Sequence, residues 1–134
     1  MKKSESRILG DYFEDYAVKM LKKDGYKIIE RNIEIHPYEI DIIAKKTHFL
    51  VFIEVKSRGL KTIYDPLASI DTKKIMNIKL AARQYVSKQR EMGKNMDKYT
   101  IRFDGISIRF DEDKKIIDYK HKIDLFKDKY YEIF

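Results

Sequence analysis

The chain of 134 residues has no cysteine and only three histidines. The first absence excludes disulfides and thiolate metal sites, zinc fingers among them. The scattered histidines make a poor zinc site, which leaves hard oxygen donors suited to magnesium or manganese. No apolar run approaches the roughly 18 residues a spanning helix needs. The N-terminus, Met1 to Arg7, is basic, but no apolar stretch of signal-peptide length follows it. There is no internal repeat and no linker-like segment. The expectation is one soluble, cytoplasmic domain over residues 1–134, of a size that can bury a single core.

Positive charge is plentiful. Lysine and arginine number 29 against 22 acids, a formal net charge of +7. Such an excess favours polyanions, nucleic acid first among them. A solvated lysine-rich surface is the plainer reading, so placement matters more than the total. Between Asp71 and Lys98 stand eight basic residues and three acidic ones, while the segment from Asp111 on is nearly balanced.

Periodicity orders the chain. Ile8, Tyr12, Phe13, Tyr16, Ala17, Met20 and Leu21 recur at three- and four-residue spacing, which predicts a helix over Glu5–Lys23 capped by Ser4 and ended at Gly25. Tyr26–Ile35 alternates as a strand, with Ile29, Arg31 and Ile33 expected on one side, and His36-Pro37 breaks it. Glu39–Lys45 and Phe49–Lys56 are the clearest strands, rich in Ile, Val and Phe. Ser57–Ile70 reads as a long irregular loop, and such loops are often functional. Asp71–Arg90 is a second helix, Tyr99–Phe110 and Lys114–Lys120 a final hairpin, and Ile123–Phe134 a short helix. The order α-β-β-β-α-β-β predicts an α/β fold, a mixed central sheet flanked by helices.

The hairpin of the two clearest strands carries the chemistry. If it turns symmetrically about Thr47 and His48, Asp41 faces Glu54 and Glu39 faces Lys56. Side chains alternate between sheet faces, so all four share one face at the open end. Ile40, Ile42 and Ala44 against Val55, Ile53 and Val51 make the other face apolar. Facing Cβ atoms lie roughly 4.5–5.5 Å apart, and two carboxylates that close repel when both are ionised. One must hold its proton, or a divalent cation must sit between them. The structural alternative is an ion pair of Glu39 with Lys56, leaving Asp41 exposed. Strands apolar on both faces make solvated charge expensive and weigh against that alternative. Register decides the matter, because a slip by one residue would separate the acids.

The string Glu39-Ile40-Asp41-Ile42-Ile43-Ala44, followed by Val51-Phe52-Ile53-Glu54-Val55-Lys56-Ser57-Arg58, resembles the core motif of the PD-(D/E)XK nuclease superfamily. More narrowly it resembles the YraN-like family of bacterial proteins, predicted to be endonucleases related to archaeal Holliday-junction resolvases. Gly10, Glu14, Ala17, Gly25-Tyr26, Arg31-Asn32, Pro66, Lys73 and Arg102-Phe103-Asp104 fall in the family's order, over roughly residues 7–126. The resemblance implies a restriction-endonuclease-like αβββαβ core and a magnesium- or manganese-dependent endonuclease acting on DNA, branched or flapped forms included. It implies metal ligation by Asp41 and Glu54, with Glu14 as an auxiliary ligand from the first helix. Lys56 would serve the attacking water and the phosphate, and Glu39 a second ion. A homodimer is a further implication. Three departures stand out: Tyr38 where the family usually has glycine, Ala68 where an acid is common, and Lys74 where glutamine is common.

Arg58, Lys61, Lys73 and Lys74 are candidate phosphate contacts, with plain solubility as the alternative. His36, His48 and His121 read as surface polar residues. Tyr64 is a candidate for base stacking. Two rival functions remain: a non-catalytic nucleic-acid-binding protein on the same fold, and a protein-interaction module.

Overall fold

The computed structural model describes residues 3–61 and 64–125. Helix α1 (Glu5–Lys23) precedes strands β1 (Lys27–Ile35), β2 (Tyr38–Lys46) and β3 (Phe49–Gly59). A 3-10 turn (Pro66–Ser69), helix α2 (Thr72–Glu91) and strands β4 (Thr100–Phe110) and β5 (Ile116–Lys122) follow. The element order is the expected one. The short helix expected over Ile123–Phe134 lies, from residue 126 on, outside the described residues.

Local chemistry sets the helix boundaries. Ser4 Oγ accepts a hydrogen bond from the Arg7 backbone N–H at 3.2 Å, satisfying one of the first-turn donors of α1. Asp71 caps α2 in the same way, its Oδ1 accepting from Lys74 N–H at 2.8 Å. Gly25 ends α1 at φ +87°, where an L side chain would be strained.

The five strands form one sheet in sequence order. All neighbours are antiparallel except β3 and β4, which run parallel and are connected through α2. That single parallel pair makes the sheet mixed. α1 covers one face, where Phe13, Ala17 and Leu21 pack on Ile42, Val51, Ile53, Ile106 and Ile108. α2 covers the other, with Ile75, Ile78, Ala82 and Tyr85 on Ile43, Leu50, Phe52 and Phe103. Each of the Val, Leu, Ile and Phe side chains among them contributes about 1.5–3 kcal/mol on leaving water. The central hairpin is thus buried on both sides, as its composition requires.

The β2–β3 register pairs Ile42 with Ile53, Ile43 with Phe52 and Ala44 with Val51. That is the symmetric turn about Thr47 and His48. Two expectations need correction. Ile40 does not share a face with Ile42: it packs with Ile43 on the α2 side, while Ile42 faces α1. Likewise Arg31 reaches α1 residues, whereas Ile33 packs on the α2 side. Strict alternation breaks at Asn32, which has φ +48°. The broad loop expected over Ser57–Ile70 is also shorter, because β3 continues to Gly59 and the 3-10 turn begins at Pro66.

Candidate active site

The ladder between β2 and β3 ends at the Ile42–Ile53 pair. One residue further along, Asp41 Oδ2 accepts a hydrogen bond from the Val55 backbone N–H at 2.8 Å. A side-chain oxygen therefore takes a strand N–H at the point where the two strands part. Burial pushes the Asp41 carboxyl up from 3.8 to about 7, with the charge of Glu54 as the next cause and Glu14 adding to it. The Val55 N–H and Lys56 oppose that rise.

Glu54 is buried on β3, and its Oε1 lies 3.5 Å from Lys56 Nζ and 3.5 Å from Lys74 Nζ. Lys56 thus pairs with Glu54, and the alternative ion pair with Glu39 is not made among the described residues. Lys74 reaches the same carboxylate from the first turn of α2. Lys73 and Lys61 are exposed, and Arg58 donates from Nη1 to the Ser57 carbonyl at 2.8 Å.

Glu14 comes from the inner face of α1 and is buried. Its Oε1 accepts from Arg31 Nε at 3.2 Å, Arg31 Nη2 at 3.2 Å and Asn32 Nδ2 at 2.9 Å. Burial nevertheless raises its pKa, against the pull of Arg31. The local helix offers Glu14 no basic partner, and its partner turns out to be on β1. Glu14, Glu39 and Asp41 line one cleft of about 190 Å³, together with Asn32, Val55 and Ser57 and with Arg7, Gly10 and Asp11 of α1.

The four residues expected on one face are therefore divided. Glu39 and Asp41 border the cleft on the α1 side, while Glu54 and Lys56 face Lys74 on the α2 side. The charge of Glu54 still reaches Asp41 across the open end of the hairpin and, after burial, is the next cause of its raised carboxyl. The carboxylates offer the hard oxygen donors that a magnesium or manganese ion takes, and the α1-side cleft holds two of them, Glu39 and Asp41, with Glu14. Among the described residues, no group of three or more acids or histidines is assembled at metal-holding distance.

Arg31 and Asn32 are the functional neighbours that periodicity missed. The available signal was the Arg-Asn pair inside a strand, since asparagine tolerates positive φ better than most residues. His121 also departs from expectation: it is largely buried, with Nε2 2.7 Å from Asp104 Oδ2. Arg102 donates to both Asp104 oxygens, at 2.9 and 2.8 Å, and to Tyr26 Oη at 2.6 Å.

Fold and site together define an α/β domain with acids and lysines gathered where its central hairpin opens. The chain belongs to the uncharacterised protein family UPF0102, whose model matches residues 13–108. It is 37% identical over 126 residues to a UPF0102 protein of Clostridium perfringens, covering 94% of this chain and 96% of that one. A UPF0102 protein of Dictyoglomus thermophilum is 36% identical over 118 residues, covering 88% and 96%. A solved fdxN element excision controlling factor protein from Anabaena variabilis has a TM-score of 0.34 and 15% identity, covering 81% of this chain and 98% of that one. A likeness that slight carries no argument. No helix among the described residues is long and apolar enough to cross a membrane.

Proposed function

We propose that this protein is a divalent-metal-dependent endonuclease that hydrolyses DNA phosphodiester bonds. The observation that carries the reading is the half-buried Asp41 beside the buried Glu54 at the parted end of the hairpin, with the Asp41 carboxyl pushed up to about 7. Carboxylates whose charges repel while partly withdrawn from water cost stability, and a bound cation relieves that cost. Asp41 and Glu54 would hold magnesium or manganese, with Glu14 and Glu39 bordering the cleft that Asp41 lines. The cation would supply Lewis acidity toward a phosphate oxygen.

The chain's own groups do the rest. Lys56 and Lys74 pair with Glu54 and place positive charge where a phosphoryl transition state gathers negative charge. Asn32 and Arg31 hold Oε1 of Glu14, which fixes the orientation of that carboxylate at the cleft wall. Asp41, anchored by Val55 N–H, has its orientation set before any ligand arrives. Arg58, Lys61 and Lys73 supply phosphate contacts that set affinity without reading sequence.

A second reading is favoured by one observation: no three-ligand group is preassembled among the described residues. On that reading the protein binds nucleic acid without cutting it. Cleavage of duplex, single-stranded, flapped and four-way-junction DNA with magnesium and manganese separates the two. Turnover by the wild type and none by the Asp41→Ala/Glu54→Ala double variant is expected. Equal turnover by both proteins rejects the assigned site, and salt-dependent binding with no turnover by either leaves the second reading standing.

A further inference from the structure

We infer that Tyr64 is a stacking platform for an unpaired nucleobase next to the acid–lysine site, which makes DNA with a single-stranded stretch the favoured ligand. The inference rests on the nucleic-acid part of the proposed function. β3 and β4 run parallel in the register Glu54–Gly105, Lys56–Ser107 and Arg58–Arg109. Side chains two apart on a strand share a face. The β3 row therefore leads from Glu54 through Lys56 to Arg58, roughly 13 Å at the usual strand rise.

The segment after β3 folds back over this face. Leu67 lies against Gly105, the register partner of Glu54, so closely that a Cβ there would stand 2.9 Å from a Leu67 methyl. Asp65 Oδ1 accepts from Leu67 N–H at 2.9 Å, and Pro66 and Leu67 are buried. Upstream, Leu60 N–H donates to the Phe110 carbonyl at 3.1 Å. Arg109 Nη2 donates to the backbone carbonyl of Tyr64 itself. The backbone at Tyr64 is thus tied down at the far end of the row.

The ring is not tied down. Tyr64 is 70% exposed, the most exposed of the large hydrophobic side chains, and makes no ring contact among the described residues. Leaving an aromatic face in water costs stability that burial would recover. An anchored backbone, a free ring and the cations Arg58 and Lys61 just before it in the chain match how single strands are held: phosphates on cations, bases on aromatic faces. In a duplex the base faces are already stacked and offer the ring nothing. A phosphate seated along Lys56 and Arg58 would bring its unpaired neighbour within reach of Tyr64.

The full chain has no tryptophan, so Tyr64→Trp introduces a lone fluorescent reporter at the ring position. Measurements are made without divalent cation, so that binding is read apart from hydrolysis. Adding a short oligo-dT strand should quench the tryptophan, and the matched duplex should not. Tyr64→Ala should weaken oligo-dT binding by about fivefold to a hundredfold and leave duplex binding unchanged, with Tyr64→Phe restoring the wild-type value. Unchanged oligo-dT affinity in Tyr64→Ala, or an equal loss on strand and duplex, overturns the inference while leaving the nuclease reading intact. Binding of neither form by the wild type removes both. Strand binding with the expected Tyr64 effect but no turnover sustains the inference and rejects only the hydrolytic reading.

Discussion

Asn32 stands across from Asp41, between the Arg31–Ile42 and Ile33–Ile40 pairs of the β1–β2 ladder, and the side chains of both strands change faces at that level. The positive φ of Asn32 produces the change on β1 and turns its amide toward Glu14. On β2 the change brings Asp41 to the cleft. Two features that periodicity alone would call irregular thus assemble one wall of the site.

This relationship predicts how substitutions at residue 32 behave. Asn32→Gly keeps the backbone conformation free of strain and loses only the side-chain bond to Glu14. Asn32→Ala loses that bond and also meets the left-handed penalty of about 1–2 kcal/mol. Chemical denaturation should therefore rank wild type above Gly and Gly above Ala. An alanine variant as stable as the glycine one would show that the backbone at 32 carries no constraint.

The raised Asp41 carboxyl fixes the sign of a pH effect. Its folded-state pKa, about 7, lies above the ordinary carboxyl value of 3.8. A group raised in this way stabilises the fold fully below the unfolded value, and the contribution is lost as pH rises through the folded one. Asp41→Asn, whose Oδ1 can still accept from Val55 N–H, should be more stable than wild type at pH 8 without metal. The gap should close as pH falls toward 4. Thermal melts across that range measure it.

Divalent cation should offset the same penalty. At pH 8, manganese is expected to raise the melting temperature of the wild type and not that of Asp41→Asn, since a ligand that binds only the folded state stabilises it. Equal shifts in both proteins would place the ion elsewhere.

Removing one carboxylate should relax the other. In Glu54→Gln the second-largest cause of the Asp41 shift is gone and burial remains. The Asp41 titration, followed by carboxyl carbon NMR, should move toward acid yet stay above its ordinary range. A stationary titration would mean the two acids do not interact.

Away from the cleft, Asp104 anchors β5. Its oxygens accept from Arg102, from the Asp124 N–H at 3.0 Å and pair with His121 Nε2. These partners hold its pKa below the ordinary carboxylate value against strong burial. Asp104→Ala leaves the Arg102 guanidinium, 13% exposed, without its counter-charge, an arrangement that typically costs about 3–5 kcal/mol. Denaturant midpoints should show a loss of that order.

Much of the architecture was legible in advance because it follows from short-range chemistry. The three- and four-residue apolar spacing with Ser4 as cap placed α1 at Glu5–Lys23, its observed bounds. The apolar composition of both faces of Ile42–Ala44 and Val51–Ile53 announced a central hairpin, and its symmetric turn put Ile42 opposite Ile53. The candidate acids were legible for the same reason: charge inside such strands is costly without a use.

What the sequence determined by itself is therefore the set of elements and the choice of Asp41, Glu54 and Lys56 as residues with no ordinary structural excuse. Tertiary structure decided which face each one serves. Glu14 meets Arg31 from 17 residues away, Lys74 reaches Glu54 from another helix, and His121 closes on Asp104 across two strands. Alternation and periodicity describe neighbours along a chain. Pairing, burial and a single left-handed residue depend on what the rest of the molecule brings alongside.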